Sequence, residues 1–409
     1  MEASIPIARI SLTDAEVQSV LEPLRSGWLV QGPKVREFED KWRSFTGAPE
    51  AAAVTSCTTG LHLALEAAGV GSGDEVIVPA FTWISTANVV EHTGATVVFC
   101  DIDINTFNID VELLPRLLTT RTKAIIPVHL FGLAADMTAV TDFAKSANLF
   151  VLEDAACGFG ATLHGQHVGY FGDAGVFSFH PRKAITTGEG GMVTSQSEEL
   201  ITKLRRLRDH GAERSDLQRH LGPKPYLLAD HSEAGFNQRM TDIQGALGSA
   251  QMDRANEIVD ERRRLAAIYD KAFEDLPWLA TPIISEGCEH GYQSYPCLFM
   301  PEAVKAALVA SDEVAVKDIN AKRNQWMDDL QNAGVSTRPA THAVHMLKFY
   351  RDKYDLSPMS FPKSFAANDC SISLPLFHGL SDEEQVKIIE IVRSTSFYRA
   401  IKCPRLPDP

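Results

Sequence analysis

The sequence has little positive charge for its length. Lys and Arg together number 39 in 409 residues, against 53 Asp and Glu, which leaves a formal net charge of -14. Surfaces that bind nucleic acid and polybasic membrane contacts both need clustered Lys and Arg. The composition therefore argues against a nucleic-acid partner and against a membrane partner.

Long apolar runs and targeting signals are missing as well. No segment is apolar over the length that a bilayer requires, and residues 1–6 lack the basic region and apolar run of a signal peptide. The chain also has no internal repeat, low-complexity tract or long linker. These absences predict a cytoplasmic protein of ordinary globular composition.

The seven cysteines form no recognisable framework. They are odd in number, scattered, and include no Cys-x-x-Cys pair. Reduced thiols are therefore expected, and a zinc site is not. The pair His342-x-x-His345 does not change this expectation, because no third ligand of the right type accompanies it.

What the sequence does contain is an alternation of short apolar runs with helical patterns. Strands are predicted over residues 75–78, 96–100, 123–128, 149–152 and 176–179, and helices over 84–92, 111–118 and 137–147. Strands separated by helices of this length indicate βαβ units. The first 250 residues are predicted to form a large α/β domain with a mostly parallel sheet flanked by helices.

The pattern changes after residue 240. Thr241 and Gln244 form a capping box, and the apolar periodicity that follows predicts one long helix continuing towards Tyr269. Strands are then predicted over 292–299, 335–338 and 371–374, and helices over 314–332 and 382–394. Residues 251–409 are therefore predicted to be a linking helix and a smaller α+β domain, with the functional site in the cleft between the two domains.

Polar residues follow the predicted strands at the edge where ligands of open α/β sheets bind. Thr58 and Thr59 lie where a strand is followed directly by a helix, and a helix N-terminus with hydroxyl groups suits a phosphate. Ordinary N-capping is the alternative. Trp83 lies just past another strand, where it could stack on a flat ligand or pack in the core.

Two acids, Glu153 and Asp154, close the apolar strand at 149–152. Buried acids are costly unless a group pairs with them. The partner could be a cationic ring nitrogen of a ligand, or the acids could form a salt bridge within the loop.

Lys183 lies in a loop that follows the strand at 176–179 and is closed by hydroxyls and glycines. Burial near a ligand would lower the pKa of this amine and free it to form a Schiff base, whereas the alternative is a solvated surface lysine. Ser178 is a further candidate donor to phosphate. An amine, an acid, a phosphate cradle and an aromatic ring are together what pyridoxal phosphate needs.

Six motifs in order carry a resemblance to a known family. They are Ser56-Cys57-Thr58-Thr59-Gly60-Leu61, Pro127-Val128-His129-Leu130-Phe131-Gly132, Glu153-Asp154-Ala155-Ala156, Ser178-Phe179-His180-Pro181-Arg182-Lys183, Thr187-Gly188-Glu189-Gly190-Gly191 and Gly235-Phe236-Asn237-Gln238-Arg239. In these motifs the chain resembles the DegT/DnrJ/EryC1/StrS family of sugar aminotransferases. That family has the fold-type I architecture of pyridoxal-phosphate enzymes.

The resemblance implies roles for individual residues. Lys183 would form the Schiff base with pyridoxal phosphate and act as the general base, and Asp154 would pair with the pyridine nitrogen. Trp83 would stack on the ring of the cofactor. The hydroxyls of Thr58, Thr59 and Ser178 would hold its phosphate.

Two further positions carry implications of the same kind. Asn237 matches an asparagine that reaches the cofactor phosphate of the neighbouring subunit, so a homodimer with shared active sites is expected. Cys157 stands where the family usually has glutamine or histidine near the ring hydroxyl of the cofactor, which puts that hydrogen bond in question.

The expected reaction is a ping-pong transfer of an amino group from glutamate or glutamine to a nucleotide-linked keto-sugar, with a 4-keto-6-deoxy sugar preferred.

Arg338 is a candidate for binding a carboxylate or phosphate of the substrate. His342 and His345 are candidates for binding a sugar hydroxyl. The alternative is that they only occupy space in a polar loop and have no functional role. A keto-cyclitol acceptor is an alternative, and a scaffold without turnover is another. Sugar dehydratases of the family carry histidine at the position of Lys183, which argues against that activity.

Overall fold

The computed structural model describes residues 4–214, 218 and 228–394. Its strands are β1 (Glu50–Val54), β2 (Glu75–Pro79), β3 (Phe81–Thr82), β4 (Thr96–Cys100), β5 (Thr122–Ile125), β6 (Phe150–Asp154), β7 (Thr162–Leu163), β8 (Gln166–His167), β9 (Ala174–Ser178), β10 (Gly191–Ser195), β11 (Leu279–Ala280), β12 (Cys288–Glu289), β13 (Tyr295–Phe299), β14 (His342–Ala343) and β15 (Ser371–Leu374). Seven of them form one sheet in the order β1-β10-β9-β6-β5-β2-β4.

Most neighbours in this sheet are parallel. Strands β4, β2, β5, β6 and β9 pair in parallel, and β10 runs antiparallel between β9 and β1. The carboxyl ends of β6 and β9 are adjacent, because Asp154 lies opposite Val176 in their register. The prediction of a mostly parallel sheet is confirmed.

Helices cover both faces of the sheet. The helices are α1 (Asp14–Ser26), α2 (Pro33–Thr46), α3 (Cys57–Ala67), α4 (Ser85–His92), α5 (Leu114–Leu117), α6 (Met137–Ala147), α7 (Glu198–Leu207), α8 (Asp242–Met252), α9 (Ala255–Phe273), α10 (Pro301–Ala310), α11 (Glu313–Asn332), α12 (Lys348–Tyr354), α13 (Pro362–Cys370) and α14 (Asp382–Ser394). Alternate strand residues face opposite cores: Ala53 packs with α2 and α6 on one side, whereas Val54 packs with α3, α4 and α7 on the other.

A second, three-stranded sheet in the order β11-β13-β15 lies in the C-terminal part of the chain. Its core includes Trp326 of α11, Phe299 of β13 and Phe365 of α13, all fully buried. The predicted mixture of strands and helices is therefore present in this region. The boundary at residue 250 stays a prediction.

Two predictions for the C-terminal half were wrong. The long helix expected from Thr241 towards Tyr269 is broken between α8 and α9, because Arg254 leaves the helical conformation at φ -113° and ψ 12°. Its guanidinium bonds to Glu16 of α1 at 3.0 Å. Residues 335–338 form single bridges to Ile5 and Ser373 instead of a strand.

No helix in the described part of the chain combines the length and the apolarity that a membrane span requires.

Candidate active site

The candidate site lies at the carboxyl ends of β6 and β9, where α3 also begins. Two glycines allow this close approach: a Cβ on Gly191 would lie 2.7 Å from the Cys57 nitrogen, and a Cβ on Gly60 would lie 2.6 Å from a Val176 methyl carbon. Larger residues at either position would push the start of α3 away from the strands. The sequence thus places a helix N-terminus against the strand that leads to Lys183.

The loop that carries Lys183 is fixed at both ends. It connects β9 to β10, and Phe179 bonds to Gly190 and Thr187 through the backbone at 2.9 and 3.0 Å. The side chain of buried Gln251 in α8 accepts a hydrogen bond from the Thr186 nitrogen at 3.0 Å. These bonds hold the lysine loop in one conformation, as a site for covalent chemistry requires.

Lys183 itself is half-buried, and its Nζ donates to Cys157 Sγ at 3.1 Å. Burial acts to lower the pKa of the amine, but Cys157, Cys57 and Asp154 together hold that pKa above its ordinary value. The expected lowering of the Lys183 pKa was therefore wrong. The solvated-surface alternative is also wrong, because the amine points to interior groups.

Asp154, the last residue of β6, is only 3% exposed. Its Oδ2 accepts from the Thr86 hydroxyl at 2.7 Å, and its Oδ1 accepts from the Ala156 nitrogen at 3.1 Å. Burial raises the pKa of the Asp154 carboxyl, and these two hydrogen bonds oppose the rise. No basic side chain bonds to this carboxylate within the described residues, so a cationic ligand group is a suitable partner.

Glu153 has a different environment from its neighbour. Its carboxylate is fully buried, lies 2.8 Å from Nε2 of buried His129, and accepts from the Gly169 and Gly172 nitrogens at 2.7 and 2.8 Å. The Ala135 nitrogen donates to Nδ1 of His129 at 3.1 Å, so Nε2 carries the proton that reaches Glu153. Glu153 is thus a fixed structural acid, and the salt-bridge alternative does not apply to Asp154.

Replacing Glu153 with Gln should lower stability and leave the chemistry of Asp154 in place. Three N–H donors face the two carboxylate oxygens of Glu153. In Gln, the amide NH2 group would replace one of these oxygens and would face an N–H donor without an acceptor between them. We expect a loss of about 1–3 kcal/mol in the free energy of unfolding, measured by urea denaturation. Glu302→Gln, at a solvent-exposed side chain, is the control and should change little; equal stability of both variants would contradict the assignment.

In the first turn of α3, Thr59 caps the helix, which was the alternative to phosphate binding. Ser56 and Thr59 form a reciprocal capping box, and the Thr59 hydroxyl also donates to the Ser56 carbonyl at 2.8 Å. The Thr58 hydroxyl has no hydrogen-bond partner among residues 4–214, 218 and 228–394. Ser178, at the end of β9, is half-buried, and its Oγ accepts a long bond from the His180 nitrogen at 3.4 Å.

Trp83 lies at the mouth of the site and is 51% exposed, so the core-packing alternative was wrong. Its ring centroid lies 5.5 Å from that of His342, and the guanidinium of Arg182 lies 5.8 Å from it. Strand β14 brings His342 here, because it pairs with β3 and places His342 opposite Thr82. One of the two candidate histidines is therefore next to the residue predicted to stack on the cofactor.

The other substrate candidates are placed differently. His345 is fully buried, contacts Phe361 edge to face, and bonds through Nε2 to the Pro358 carbonyl at 3.2 Å. Since no surface of this ring is accessible to a sugar, the structural alternative holds for His345. Arg338 is exposed, and its backbone carbonyl bonds to Ser373.

Asn237 is exposed as well, in a segment that bridges to Asp209. The neighbouring Arg239 binds the Asp209 carboxylate at 2.6 Å and so anchors the segment. Cys157 is half-buried and contacts Lys183, as described above. The structure thus brings Cys157, Lys183 and Asp154 together and leaves Asn237 on the surface.

Thr86 is a site residue that the sequence did not single out. It lies four residues after Thr82, bonds to that hydroxyl at 3.1 Å, and donates to Asp154. No local pattern in the sequence marked it, because its role depends on its contact with Asp154, 68 residues away. Arg182 was part of a motif, but nothing in the sequence indicated its contact with Trp83.

Substituting Thr86 with Val should change the pH dependence with which Asp154 holds the cationic ring that the family resemblance implies. The Thr86 hydroxyl lowers the pKa of the Asp154 carboxyl, so its removal raises that pKa further above the ordinary value. As the pH is lowered, Asp154 of the variant therefore becomes protonated at a higher pH than Asp154 of the wild type. The affinity for a cationic ring is lost at that higher pH. Fluorescence titration of pyridoxal phosphate against pH measures this shift. Thr86→Ser, which keeps the hydroxyl, should retain the wild-type profile, and an unshifted Val profile would contradict the role.

Comparison with known proteins relates this geometry to a family. The profile of the DegT/DnrJ/EryC1/StrS aminotransferase family matches residues 11–393. The spore coat polysaccharide biosynthesis protein SpsC of Bacillus subtilis is 39% identical over 92% of this chain and 93% of its own length. A GDP-perosamine synthase of Caulobacter vibrioides is 36% identical over 94% and 96% of the two chains.

Solved structures agree with the sequence comparison. The putative sugar aminotransferase Spr1654 from Streptococcus pneumoniae, in its PLP-form, superposes with a TM-score of 0.83 at 30% identity, covering 95% of this chain and 97% of that one. The likeness therefore extends over nearly the whole of both chains. The chain belongs to the DegT/DnrJ/EryC1/StrS aminotransferase family.

Proposed function

We propose that the protein is a pyridoxal-phosphate-dependent aminotransferase that moves an amino group from glutamate or glutamine to a nucleotide-linked keto-sugar. A single observation supports this proposal most strongly. Asp154 ends β6, Lys183 lies in the loop that follows the adjacent parallel strand β9, and the two groups are close enough for their charges to interact. An amine and a buried acid at one strand edge are the two groups that this cofactor requires.

The remaining residues fit the cofactor in charge and shape. Bound pyridoxal phosphate supplies an aldehyde that reacts with amines and a ring that withdraws electrons from them. The start of α3 offers the Thr58 hydroxyl and free backbone N–H groups to its phosphate. Ser178 lies near this helix start, because it pairs with Gly191, which packs against Ser56 and Cys57. Trp83 offers an exposed aromatic face to its ring.

Each catalytic side chain has a defined task in this proposal. Lys183 would hold the cofactor through its aldehyde, and the amine, once freed by an amino donor, would accept and return the proton of the donor α-carbon. Asp154 keeps the ring nitrogen protonated, because its buried carboxylate has only neutral hydrogen-bond donors otherwise.

The acceptor is proposed to be a nucleotide-linked keto-sugar, with a 4-keto-6-deoxy sugar preferred. Relatives named GDP-perosamine synthase support this class, since that name specifies a nucleotide-linked product. His342 beside Trp83 is positioned to meet a sugar hydroxyl, and exposed Arg338 is available to a phosphate. A keto-cyclitol is the second candidate acceptor. It carries hydroxyl groups but no phosphate, so it would need the contact with His342 and not the one with Arg338.

We further propose a homodimer with shared active sites. Asn237 is exposed and thus free to reach the phosphate bound by a second copy. The N-terminal segment exposes several large apolar side chains, which is unusual for a surface in water. These side chains are Ile10, Leu12, Val17, Leu24, Leu29 and Val30.

A substrate screen tests the proposed function. The enzyme with bound pyridoxal phosphate is incubated with glutamate or glutamine and with either GDP- or TDP-linked 4-keto-6-deoxy sugars or scyllo-inosose. Mass spectrometry should detect an aminated nucleotide sugar that forms only when both substrates are present. Amination of scyllo-inosose alone would select the cyclitol alternative, and no amination of any acceptor would refute the proposed acceptor classes.

A further inference from the structure

Cys157 is a half-buried thiol in contact with a second nucleophile. Its Sγ lies 3.1 Å from Nζ of Lys183, within hydrogen-bond distance. Four of the other cysteines in the described residues, at positions 57, 100, 297 and 370, are buried, and Cys288 is half-buried elsewhere on β12. Cys157 therefore combines partial access to solvent with a reactive amine as its neighbour.

We propose that Cys157 and Lys183 form an oxidative modification site, in which a peroxide couples the thiol sulfur to the lysine nitrogen. The coupling needs no large movement, because the two atoms already lie 3.1 Å apart. The product would be a covalent S–N bond that closes a loop between β6 and the β9–β10 connection. Thiols that are partly accessible and next to a basic group are the ones that oxidants select.

The first step oxidises the sulfur. The sulfur of Cys157 attacks one oxygen of hydrogen peroxide, an S–O bond forms, the O–O bond breaks, and water leaves with the thiol proton. The sulfur loses two electrons and the peroxide gains them, which gives a sulfenic acid.

The second step uses the lysine. The lone pair of Nζ attacks the sulfur, the S–N bond forms, the S–O bond breaks, and hydroxide leaves as water with a proton of the amine. The hydrogen bond from Nζ to Sγ already places the attacking nitrogen 3.1 Å from the sulfur, so the second step needs no rearrangement of the loop.

The modification would act on the enzyme through its lysine. A nitrogen bound to sulfur cannot react with the cofactor aldehyde, so oxidation of the cofactor-free chain would block loading. This consequence rests on the proposed function, whereas the S–N bond itself depends only on the two side chains. A dithiol would reverse the block, because it reduces the sulfur and releases the amine.

Intact mass and peptide mass spectrometry test the proposal on the full chain. Cofactor-free protein treated with one equivalent of hydrogen peroxide should lose about two mass units, the mass of two hydrogens. A cross-linked peptide pair containing Cys157 and Lys183 should appear, and dithiothreitol should remove it. Pyridoxal phosphate added before the peroxide should decrease the cross-link at least about fivefold, because the lysine is then engaged.

Variants separate the steps. Cys157→Ser should show no cross-link, whereas Cys288→Ser should cross-link as the wild type does. Lys183→Ala should stop at the sulfenic acid, which dimedone traps on Cys157. The proposal is overturned if the wild type gains oxygen at Cys157 without any S–N cross-link. A cross-link that forms equally with pyridoxal phosphate present would leave the modification site intact and count against the proposed cofactor role of Lys183.

Discussion

Lys183→Ala should lower the rate of amino transfer by about 10⁴-fold, at the upper end of what a single proton-transferring group contributes. The residue is proposed both to bind the cofactor and to move the α-proton, and no second amine is in contact with Asp154 or Cys157 among the described residues. The visible absorbance of lysine-bound pyridoxal phosphate should disappear with the activity. Stopped-assay kinetics and absorbance spectra measure both effects.

Two controls make the Lys183 result specific. Lys348→Ala removes a lysine whose side chain is 84% exposed, and it should keep activity and absorbance. Added ethylamine should partly restore turnover to Lys183→Ala, because a free amine can enter the space that the side chain leaves. A Lys183→Ala enzyme that keeps a tenth or more of its activity without added amine would contradict the catalytic assignment.

Asp154→Asn should produce the second largest effect, a decrease of about 10²–10³-fold in kcat. Asparagine can still accept from Thr86 or Ala156, so the fold should persist, but it cannot keep a ring nitrogen protonated. The loss should appear in kcat more than in KM, since the interaction strengthens as charge moves into the ring. Steady-state kinetics with the preferred acceptor measures this difference.

Replacement of the neighbouring acid, Glu153, should have the opposite effects on stability and kcat. Glu153→Gln should lose stability while the folded fraction keeps its kcat, whereas Asp154→Asn should keep stability and lose kcat. Asp142→Asn, at an exposed position on α6, should change neither property. A decrease in stability at Asp154→Asn as large as that at Glu153→Gln would show that both acids serve the fold.

The placement of the site could be predicted from the sequence because it depends on local patterns. Apolar runs predict the ends of β6 and β9 to within about two residues, and parallel strands place their ends at one edge. The sequence alone therefore predicts that Asp154 and Lys183 lie at one site. The roles of single residues at the site came from the resemblance to the family, since no pattern of charge or periodicity names a cofactor.

Features that depend on distant contacts could not be predicted in the same way. Nothing local distinguishes Glu153 from Asp154, because the partner of Glu153 is His129 on a neighbouring segment. The break between α8 and α9 has no Gly or Pro to mark it and depends on the pairing of Arg254 with Glu16. The three-residue spacing of the two histidines likewise gave no sign that only His342 is exposed.

The most direct test of the account is to locate the lysine that carries the cofactor. The full-length protein is saturated with pyridoxal phosphate, reduced with borohydride to fix the cofactor in place, digested, and mapped by mass spectrometry. We predict that the added mass lies on the peptide containing Lys183 and is absent from Lys183→Ala. Attachment at another lysine, or no attachment at saturating cofactor, would contradict the central claim.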